Sequence, residues 1–336
     1  MYEKFKGGGF RVNCDVNVRP EDVVKAYKLL RGRVLMTPLE RSEVLSELCG
    51  GNVFLKLENL QLCRSFKIRG AMNIMLNLKG EFEGKGVVTC SSGNHAQGVA
   101  IASRELGIRS IIVVPKDCPE TKKEAIRLFG KGWIELVEHG YGYDSAFKEA
   151  ERISRENNLP FIPPGEHRLV MAGAGTVGYE IVNQNPDIDA ILVPAGSGGL
   201  ILGIATIVKS IKPRVEIIGI QSEASPPWYF SWQAGRLVEV EYKPSLSEGT
   251  WGSIKECMFN LAKDRVDSFL LVKEEDIKEA IAFALRKLHL VVEGAGALGI
   301  AALLSKRFNA EGRNVVVVVS GGNIDVGVLK SVLNSY

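Results

Sequence analysis

The chain has 336 residues, of which 46% are hydrophobic, and this length and composition allow about two domains with large buried cores. Its 42 basic and 39 acidic residues leave a net charge of only +3 without a long basic run, which argues against nucleic acid as a partner. No apolar run approaches the ~18 residues that a membrane span needs, and the first residues lack the apolar core of a secretory signal, so we expect a cytoplasmic protein without membrane association.

Short β-branched runs alternate with helical patterns along the first half of the chain. We predict helices at residues 20–30, 42–48, 71–78, 96–106, 120–128 and 145–156, and strands at residues 53–57, 86–90, 110–114 and 133–137. A proline cluster at residues 159–165 then interrupts the series. Such a cluster is typical of a crossing point between domains.

The same alternation resumes in the second half. We predict helices at residues 176–182, 200–210, 274–288 and 296–306, and strands at residues 190–193, 215–220, 267–272 and 314–319. Continuous apolar strands separated by long helices indicate parallel sheets that are covered on both faces. We therefore predict an α/β fold of two domains, each an open, mostly parallel sheet with helices on both faces. The large domain comprises residues 1–83 and 165–336, and the small domain comprises residues 84–164.

Lys67 is the first candidate for a chemical role. It follows Phe66 and precedes Ile68 and Arg69, just before a predicted helix. Only the neutral amine of a lysine attacks a carbonyl, and apolar neighbours or another cation favour that neutral form. The alternative is a solvated lysine in a first helical turn that is capped by Ser65.

Open α/β sheets bind ligands at the loops that follow the carboxyl ends of their strands. Residues 90–98 place two serines, an asparagine, a histidine and a glutamine at a helix start, which suits a carboxylate, although an ordinary helix cap is the alternative. The glycines of residues 193–200 suit a phosphate, and a tight turn is the alternative. Ser320, at the end of the last strand, suits a ring nitrogen unless it only caps the backbone.

Other patterns point to function more weakly. Residues 173–178 and 294–299 match the glycine spacing of a dinucleotide fingerprint, but no suitable strand precedes them and no acidic residue ends the next strand. We interpret these glycines as close-packing positions, and a nicotinamide-dependent oxidoreductase remains an alternative. The six cysteines and four histidines lack metal-ligand spacing, so we predict no metal site and reduced cysteines.

Five motifs together resemble those of the fold-type II pyridoxal phosphate enzymes, which share the tryptophan synthase β-like fold, and most closely the threonine dehydratase and serine racemase group. The motifs, which span residues 65–325, are Ser-Phe-Lys-Ile-Arg-Gly-Ala, Ser-Ser-Gly-Asn-His-Ala-Gln-Gly, Gly-Ser-Gly-Gly-Leu, Glu-Gly-Ala-Gly-Ala and Ser-Gly-Gly-Asn-Ile-Asp. The resemblance implies pyridoxal 5'-phosphate as the cofactor and Lys67 as its Schiff-base lysine. It implies further cofactor contacts from Phe66, Asn94, Gly196, Ser197, Gly198, Gly199, Leu200 and Ser320. It implies contacts to the substrate carboxylate from Ser91, Ser92, Asn94, His95 and Gln97.

The resemblance also implies a reaction. Lys67 would remove the Cα proton of a small hydroxy amino acid, L-threonine or L-serine, and loss of the β-hydroxyl would lead to a 2-oxo acid and ammonia. Ser92 stands where similar racemases carry a second proton donor, so amino-acid racemisation stays open. A nicotinamide-dependent oxidoreductase or a non-catalytic amino-acid binder is a more distant alternative. Gln221 and Pro227 replace the acidic residues that bind a cation in similar racemases, and we expect a homo-oligomer, either a dimer or a dimer of dimers.

Overall fold

Nine strands form two sheets in the computed structural model, which describes residues 15–82 and 84–335. The strands are β1 Leu39–Arg41, β2 Asn52–Leu57, β3 Val87–Cys90, β4 Ser110–Val114, β5 Ile134–Glu138, β6 Ala190–Pro194, β7 Glu216–Ser222, β8 Ser268–Val272 and β9 Asn314–Val319. The larger sheet has the order β1-β2-β9-β6-β7-β8 and the smaller sheet has the order β3-β4-β5. All neighbouring strands are parallel except β1, which is antiparallel to β2.

Helices cover both faces of the larger sheet, so its central strands are buried on both sides. The helices are α1 Pro20–Leu30, α2 Glu43–Cys49, α3 Lys67–Asn77, α4 Lys79–Phe82, α5 Asn94–Leu106, α6 Glu120–Gly130, α7 Gly142–Asn157, α8 Arg168–Gln184, α9 Gly199–Ile211, α10 Pro227–Ala234, α11 Glu256–Ala262, α12 Glu274–Leu288, α13 Gly294–Leu304 and α14 Val326–Leu333. One core contains α1, α8 and α9, and the opposite core contains α12 and α13. The predicted α/β class with mostly parallel sheets is confirmed. The outer limits of the predicted domains, residues 1, 83 and 336, lie outside the described residues.

Some elements differ from the prediction. β1, α4, α10, α11 and α14 are not predicted, and α8 begins at Arg168 rather than near residue 176. The glycines of α8 weaken its helical signal, yet they let it pack closely, because a Cβ on Gly173 would collide with the Arg69 carbonyl. A Cβ on Gly296 in α13 would likewise collide with the Gly321 carbonyl. The close-packing interpretation of both glycine patterns is confirmed, since each lies within a helix.

The cysteines differ in state. Cys49, Cys63, Cys90 and Cys118 are free thiols, as expected. Cys257 is disulfide-bonded, so the expectation of a reduced thiol is wrong there, because sequence spacing does not show which thiols become neighbours in space. In residues 15–82 and 84–335, no three His, Cys, Asp or Glu side chains are grouped so as to hold a metal ion. No helix in this part of the chain has the length and apolar character to cross a membrane.

Candidate active site

Three of the loops that the sequence singles out start side by side at one edge of the larger sheet. β2, β9 and β6 are consecutive neighbours in that sheet. Lys67 follows β2 as the first residue of α3, Ser320 follows β9, and residues 196–200 follow β6. The amide of Phe66 donates to the Ser320 carbonyl at 3.1 Å, which fixes the start of α3 against the end of β9. The fourth loop, residues 91–97, follows β3 of the smaller sheet.

The amine of Lys67 is turned into the fold. Nζ donates to the Pro164 carbonyl at 2.7 Å and lies 5.2 Å from the centroid of the Phe66 ring. Burial lowers the pKa of Lys67, while the carboxylates of Glu166 and Glu293 act in the opposite direction. A lowered pKa increases the neutral fraction of the amine, which can take up a proton or attack a carbonyl. The alternative of a lysine that points at water does not fit this geometry.

Arg69 does not act on Lys67 as the sequence led us to expect. Its guanidinium is fully buried and contacts Glu58 at 2.8 Å and Glu180 at 2.6 Å. The buried Lys56 contacts Glu180 at 2.6 Å, so two cations face two carboxylates. These charges compensate one another locally. The four side chains join β2, the turn after it, α3 and α8, and thereby anchor the helix that begins at Lys67.

Asn94, the first residue of α5, is held by two partners. Its Nδ2 donates to Glu293 Oε1 at 2.7 Å, and its Oδ1 accepts from Asn323 Nδ2 at 2.7 Å. Asn323 Nδ2 also lies within hydrogen-bonding distance of Gln97 Oε1, at 3.0 Å, and of the Cys63 carbonyl, at 2.9 Å. These contacts connect α5 beside the smaller sheet with the loop after β9 and the start of α13.

His95 is buried behind this edge of the site. Its Nε2 lies 3.1 Å from Thr89 Oγ1 and 3.0 Å from the Ile162 carbonyl. Burial, with a smaller contribution from the charge of Lys67, lowers the pKa of His95 to about 3, so the imidazole is neutral at pH 7. Its Nδ1 is buried and has no hydrogen-bond partner among the described residues.

The two serines before α5 have different surroundings. Ser91 Oγ accepts from the Gly93 amide at 3.2 Å and so supports the turn. Ser92 is half-buried in the same turn. The first amides of a helix lack partners within the helix, so this turn and the start of α5 provide hydrogen-bond donors for an anion.

The loop after β6 forms a concave backbone surface. At Gly198, φ is +101° and a Cβ would lie 2.7 Å from Trp228 Cζ2, so a side chain is excluded there. Trp228 Nε1 donates to the Gly196 carbonyl at 2.6 Å, which fixes the loop. Within residues 15–82 and 84–335, no backbone carbonyl accepts from the amides of residues 197–200. Successive free amides at the start of α9 suit a phosphate.

Gln221 supports this loop by hydrogen bonds from its side-chain amide. Gln221 Nε2 donates to the Ala195 carbonyl at 3.1 Å, and Gln221 Oε1 accepts from the Trp228 amide at 2.9 Å. Pro227 is the first residue of α10. Both ends of the Gln221 amide are therefore used within the fold.

Four residues around Lys67 and Asn94 have no role assigned from the sequence. They are Pro164, Glu166, Glu293 and Asn323. Glu293 and Asn323 stand in two of the motifs that carry the resemblance, but a motif does not show which of its side chains face the site. The acidic residue directly before a glycine-rich helix start is the signal that could have identified Glu293.

Comparisons with known proteins agree with this geometry. The family model described as pyridoxal-phosphate dependent enzyme matches residues 30–321. The chain is 42% identical to an L-threonine ammonia-lyase of Thermotoga maritima over 94% of this chain and 78% of the relative. It is 38% identical to the catabolic L-threonine dehydratase TdcB of Escherichia coli K12, over 94% of this chain and 96% of the relative. Maize serine racemase superposes with a TM-score of 0.89 at 31% identity, over 95% of this chain and 97% of that chain.

The residues at the carboxyl ends of the strands of the larger sheet fit pyridoxal phosphate, the cofactor that gives the family its description. The free amides of residues 197–200 suit its phosphate, and the lowered pKa of the Lys67 amine favours the neutral form that bonds to its aldehyde. One N–H of Asn94 and the hydroxyl of Ser320 can donate to its ring, since Glu293 uses only one of the two amide hydrogens. The chain belongs to the family of pyridoxal-phosphate-dependent enzymes, and its cofactor is pyridoxal 5'-phosphate.

Proposed function

We propose that the chain is an ammonia-lyase that converts a small hydroxy amino acid, L-threonine or L-serine, to a 2-oxo acid and ammonia. The observation that carries this proposal is the enclosed amine of Lys67, whose pKa is lowered, beside the free amides of residues 197–200. The names of the Thermotoga and Escherichia relatives, an ammonia-lyase and a dehydratase, support the same reaction.

Lys67 has two tasks in this proposal. It anchors the cofactor, and after substrate has replaced it, its Nζ takes the proton from the substrate Cα. Bound pyridoxal phosphate supplies an electron sink for the charge that develops at Cα. The lowered pKa supports this role because an ammonium group cannot accept a proton.

Other side chains bind and orient. The cofactor is held by Phe66, Lys67, Asn94, Gly196, Ser197, Gly198, Gly199, Leu200 and Ser320. The substrate carboxylate is held by Ser91, Ser92, Asn94, His95 and Gln97. Amides at the start of α5 favour a carboxylate there. Because His95 is neutral, we expect it to shape this subsite by hydrogen bonding rather than by charge.

We further propose that residues 84–164 form a small substrate-side domain and that residues 1–83 with 165–336 form the large cofactor-binding domain. The smaller sheet, which consists of β3, β4 and β5, lies entirely within residues 84–164. All strands of the larger sheet lie in the remaining residues. A cytoplasmic location and a homo-oligomer, dimer or dimer of dimers, remain predictions.

Amino-acid racemisation is the second candidate. Maize serine racemase supports it by its TM-score of 0.89, and Ser92 provides a hydroxyl in the turn before α5. In racemisation, Lys67 would take the proton from one face of the substrate Cα, and Ser92 would supply a proton to the other face.

One experiment ranks the two reactions. Wild-type protein loaded with pyridoxal phosphate is incubated with single enantiomers of serine and threonine, and both 2-oxo acid and the opposite enantiomer are measured. We expect 2-oxo acid from the L-enantiomers, and we expect Lys67→Ala to abolish both this product and the visible absorption of the lysine-bound cofactor. Lys330→Ala removes an exposed lysine and serves as the control.

The outcomes separate the alternatives. Enantiomer exchange that Ser92→Ala removes, while 2-oxo acid formation persists, would support racemisation as a second activity of the site. Absence of a visible band in wild-type protein supplied with the cofactor would refute the role of Lys67.

A further inference from the structure

Glu293 lies directly before α13 with its carboxylate turned into the candidate active site. Oε1 accepts from Asn94 Nδ2 at 2.7 Å, and the Glu293 amide donates to the Gly321 carbonyl at 3.1 Å. A Cβ on Gly321 would collide with the same Oε1. The carboxylate is therefore wedged between the start of α5 and the loop that carries Ser320.

This carboxylate determines how the Asn94 amide is oriented. Asn94 Oδ1 accepts from Asn323 Nδ2 at 2.7 Å, while Asn94 Nδ2 donates to Glu293. The reversed amide would place oxygen against the carboxylate and nitrogen against nitrogen. An amide nitrogen carries two hydrogens, so the second N–H of Asn94 remains available to a ligand.

We propose that Glu293 is a positioning residue that holds the Asn94 amide with its second N–H directed at the bound cofactor, and that proton uptake by Glu293 weakens this hold. The inference rests on the proposed contact of Asn94 with the cofactor. The charged groups that face the carboxylate are Lys67 on α3, Lys122 on α6 and Glu248 in the turn at residues 248–250. Burial raises the pKa of Glu293 to about 7, with the hydrogen bond from Asn94 and the two lysines acting against it and Glu248 adding to it.

The direction of the pH effect follows from the charge. Above about pH 7 the carboxylate is ionised and accepts a charge-assisted hydrogen bond, which is roughly twice as strong as a neutral one. Below that pH the carboxyl group is protonated and holds Asn94 less firmly. The affinity for the cofactor should therefore fall as the pH is lowered from 8 to 6. Glu293→Gln keeps the shape of the side chain but cannot titrate, so this part of the pH dependence should be missing.

The test measures binding rather than turnover. Apoprotein of the wild type, Glu293→Gln and Glu293→Ala is titrated with pyridoxal phosphate at pH 6, 7 and 8, with visible absorption and tryptophan fluorescence as readouts. Glu293→Ala should lower the affinity at pH 8 by about tenfold to a hundredfold, the range for a hydrogen bond to a charged group. In an Asn94→Ala background the same substitution should lose most of its effect, because its hold on Asn94 is then already absent and only its influence on the pKa of Lys67 is left. Glu256→Gln, at an exposed carboxylate, is the control.

Three results would overturn the proposal: unchanged affinity in Glu293→Ala, additive losses in the double variant, or a full pH dependence in Glu293→Gln. If Glu293 had a purely structural role, its substitution would lower the affinity for the cofactor equally at every pH. Comparison of Glu293→Gln with the wild type at the three pH values tests this even where Glu293→Ala folds poorly. If the wild type itself shows neither a visible band nor saturable binding, the proposed function fails instead. The two failures are therefore distinguishable.

Discussion

Replacing Arg69 with methionine removes one cation from the buried charge network under α3. The five N–H groups of Arg69 share six acceptor atoms there, which are four carboxylate oxygens of Glu58 and Glu180, the Thr176 hydroxyl and the Leu35 carbonyl. Methionine keeps much of the side-chain volume but none of these donors. The variant retains two buried carboxylates with Lys56 as their remaining cation partner.

The expected loss of stability is large. Removal of one partner from a buried ion pair costs about 3–5 kcal/mol, mainly because the other charge stays buried. With a denaturant slope of about 3 kcal/mol per molar urea, at the upper end of the range for small proteins because the slope grows with chain length, the unfolding midpoint should fall by roughly 1–1.7 M. Urea unfolding followed by circular dichroism measures this shift. Arg152→Met is the matched control, since that arginine also contacts two carboxylates, Glu149 and Glu156, but is 48% exposed; its effect should stay within about 0.5 kcal/mol.

The pH dependence tests the physical cause. Burial by itself would raise the pKa of Glu58, but Arg69, together with Lys56 and the Thr37 hydroxyl, outweighs it and holds that pKa below its ordinary value of 4.5. In the wild type, the stability that Glu58 contributes is present above pH 4.5 and is lost as the pH falls through the lowered pKa. Without Arg69, burial should raise the pKa, so the variant should be least stable, relative to the wild type, at high pH. A difference that is the same at pH 5 and pH 8, or no larger than that of Arg152→Met, would refute this explanation.

Three further changes test the loops of the site. Gly198→Ala should lower the affinity for pyridoxal phosphate about tenfold or more, because its Cβ would lie 2.7 Å from Trp228, whereas Gly235→Ala, at a positive φ with open space, is the matched control in the same titration. Trp228→Phe removes the hydrogen bond to the Gly196 carbonyl and should cost about 1–3 kcal/mol in urea unfolding, while an unchanged midpoint would show that the bond is dispensable. The pKa of His95 is lowered from 6.5 to about 3, so the wild type should lose stability as the pH falls from 6.5 towards 3, and His95→Asn should show a smaller loss in the same assay.

The sequence predicts well those features that depend on local pattern. The valine run at residues 315–319 predicts a strand buried on both faces, and it is β9, next to β2 and β6 in the larger sheet. The rule that ligands bind where parallel strands end then selects the loop that carries Ser320, whereas Lys67 is selected by its apolar and cationic neighbours. Both are found at one edge because their strands are neighbours.

The partners of these residues could not be predicted, because they come from distant parts of the chain. Arg69 and Glu180 are 111 positions apart, and Asn94 and Glu293 are 199 positions apart. The sequence therefore predicts wrongly that Arg69 favours the neutral form of Lys67, whereas Arg69 pairs with buried carboxylates. It also gives Glu293 no role, since only the folded chain brings its carboxylate, at the start of α13, to Asn94 at the start of α5.

Lys67 and Arg69 lie in one helical turn but differ in role, because their side chains face different groups. Arg69 stays cationic at any working pH, and its planar group contacts both buried carboxylates at once, which a lysine ammonium could not do in the same geometry. Lys67 faces the Pro164 carbonyl instead, and burial lowers its pKa against the opposing charges of Glu166 and Glu293. Neutralising either of these carboxylates should therefore lower the pKa of Lys67 further. The proton affinity of the amine is thus set by its two acidic neighbours together with its burial, and the neighbouring arginine contributes by fixing the helix on which the amine is carried.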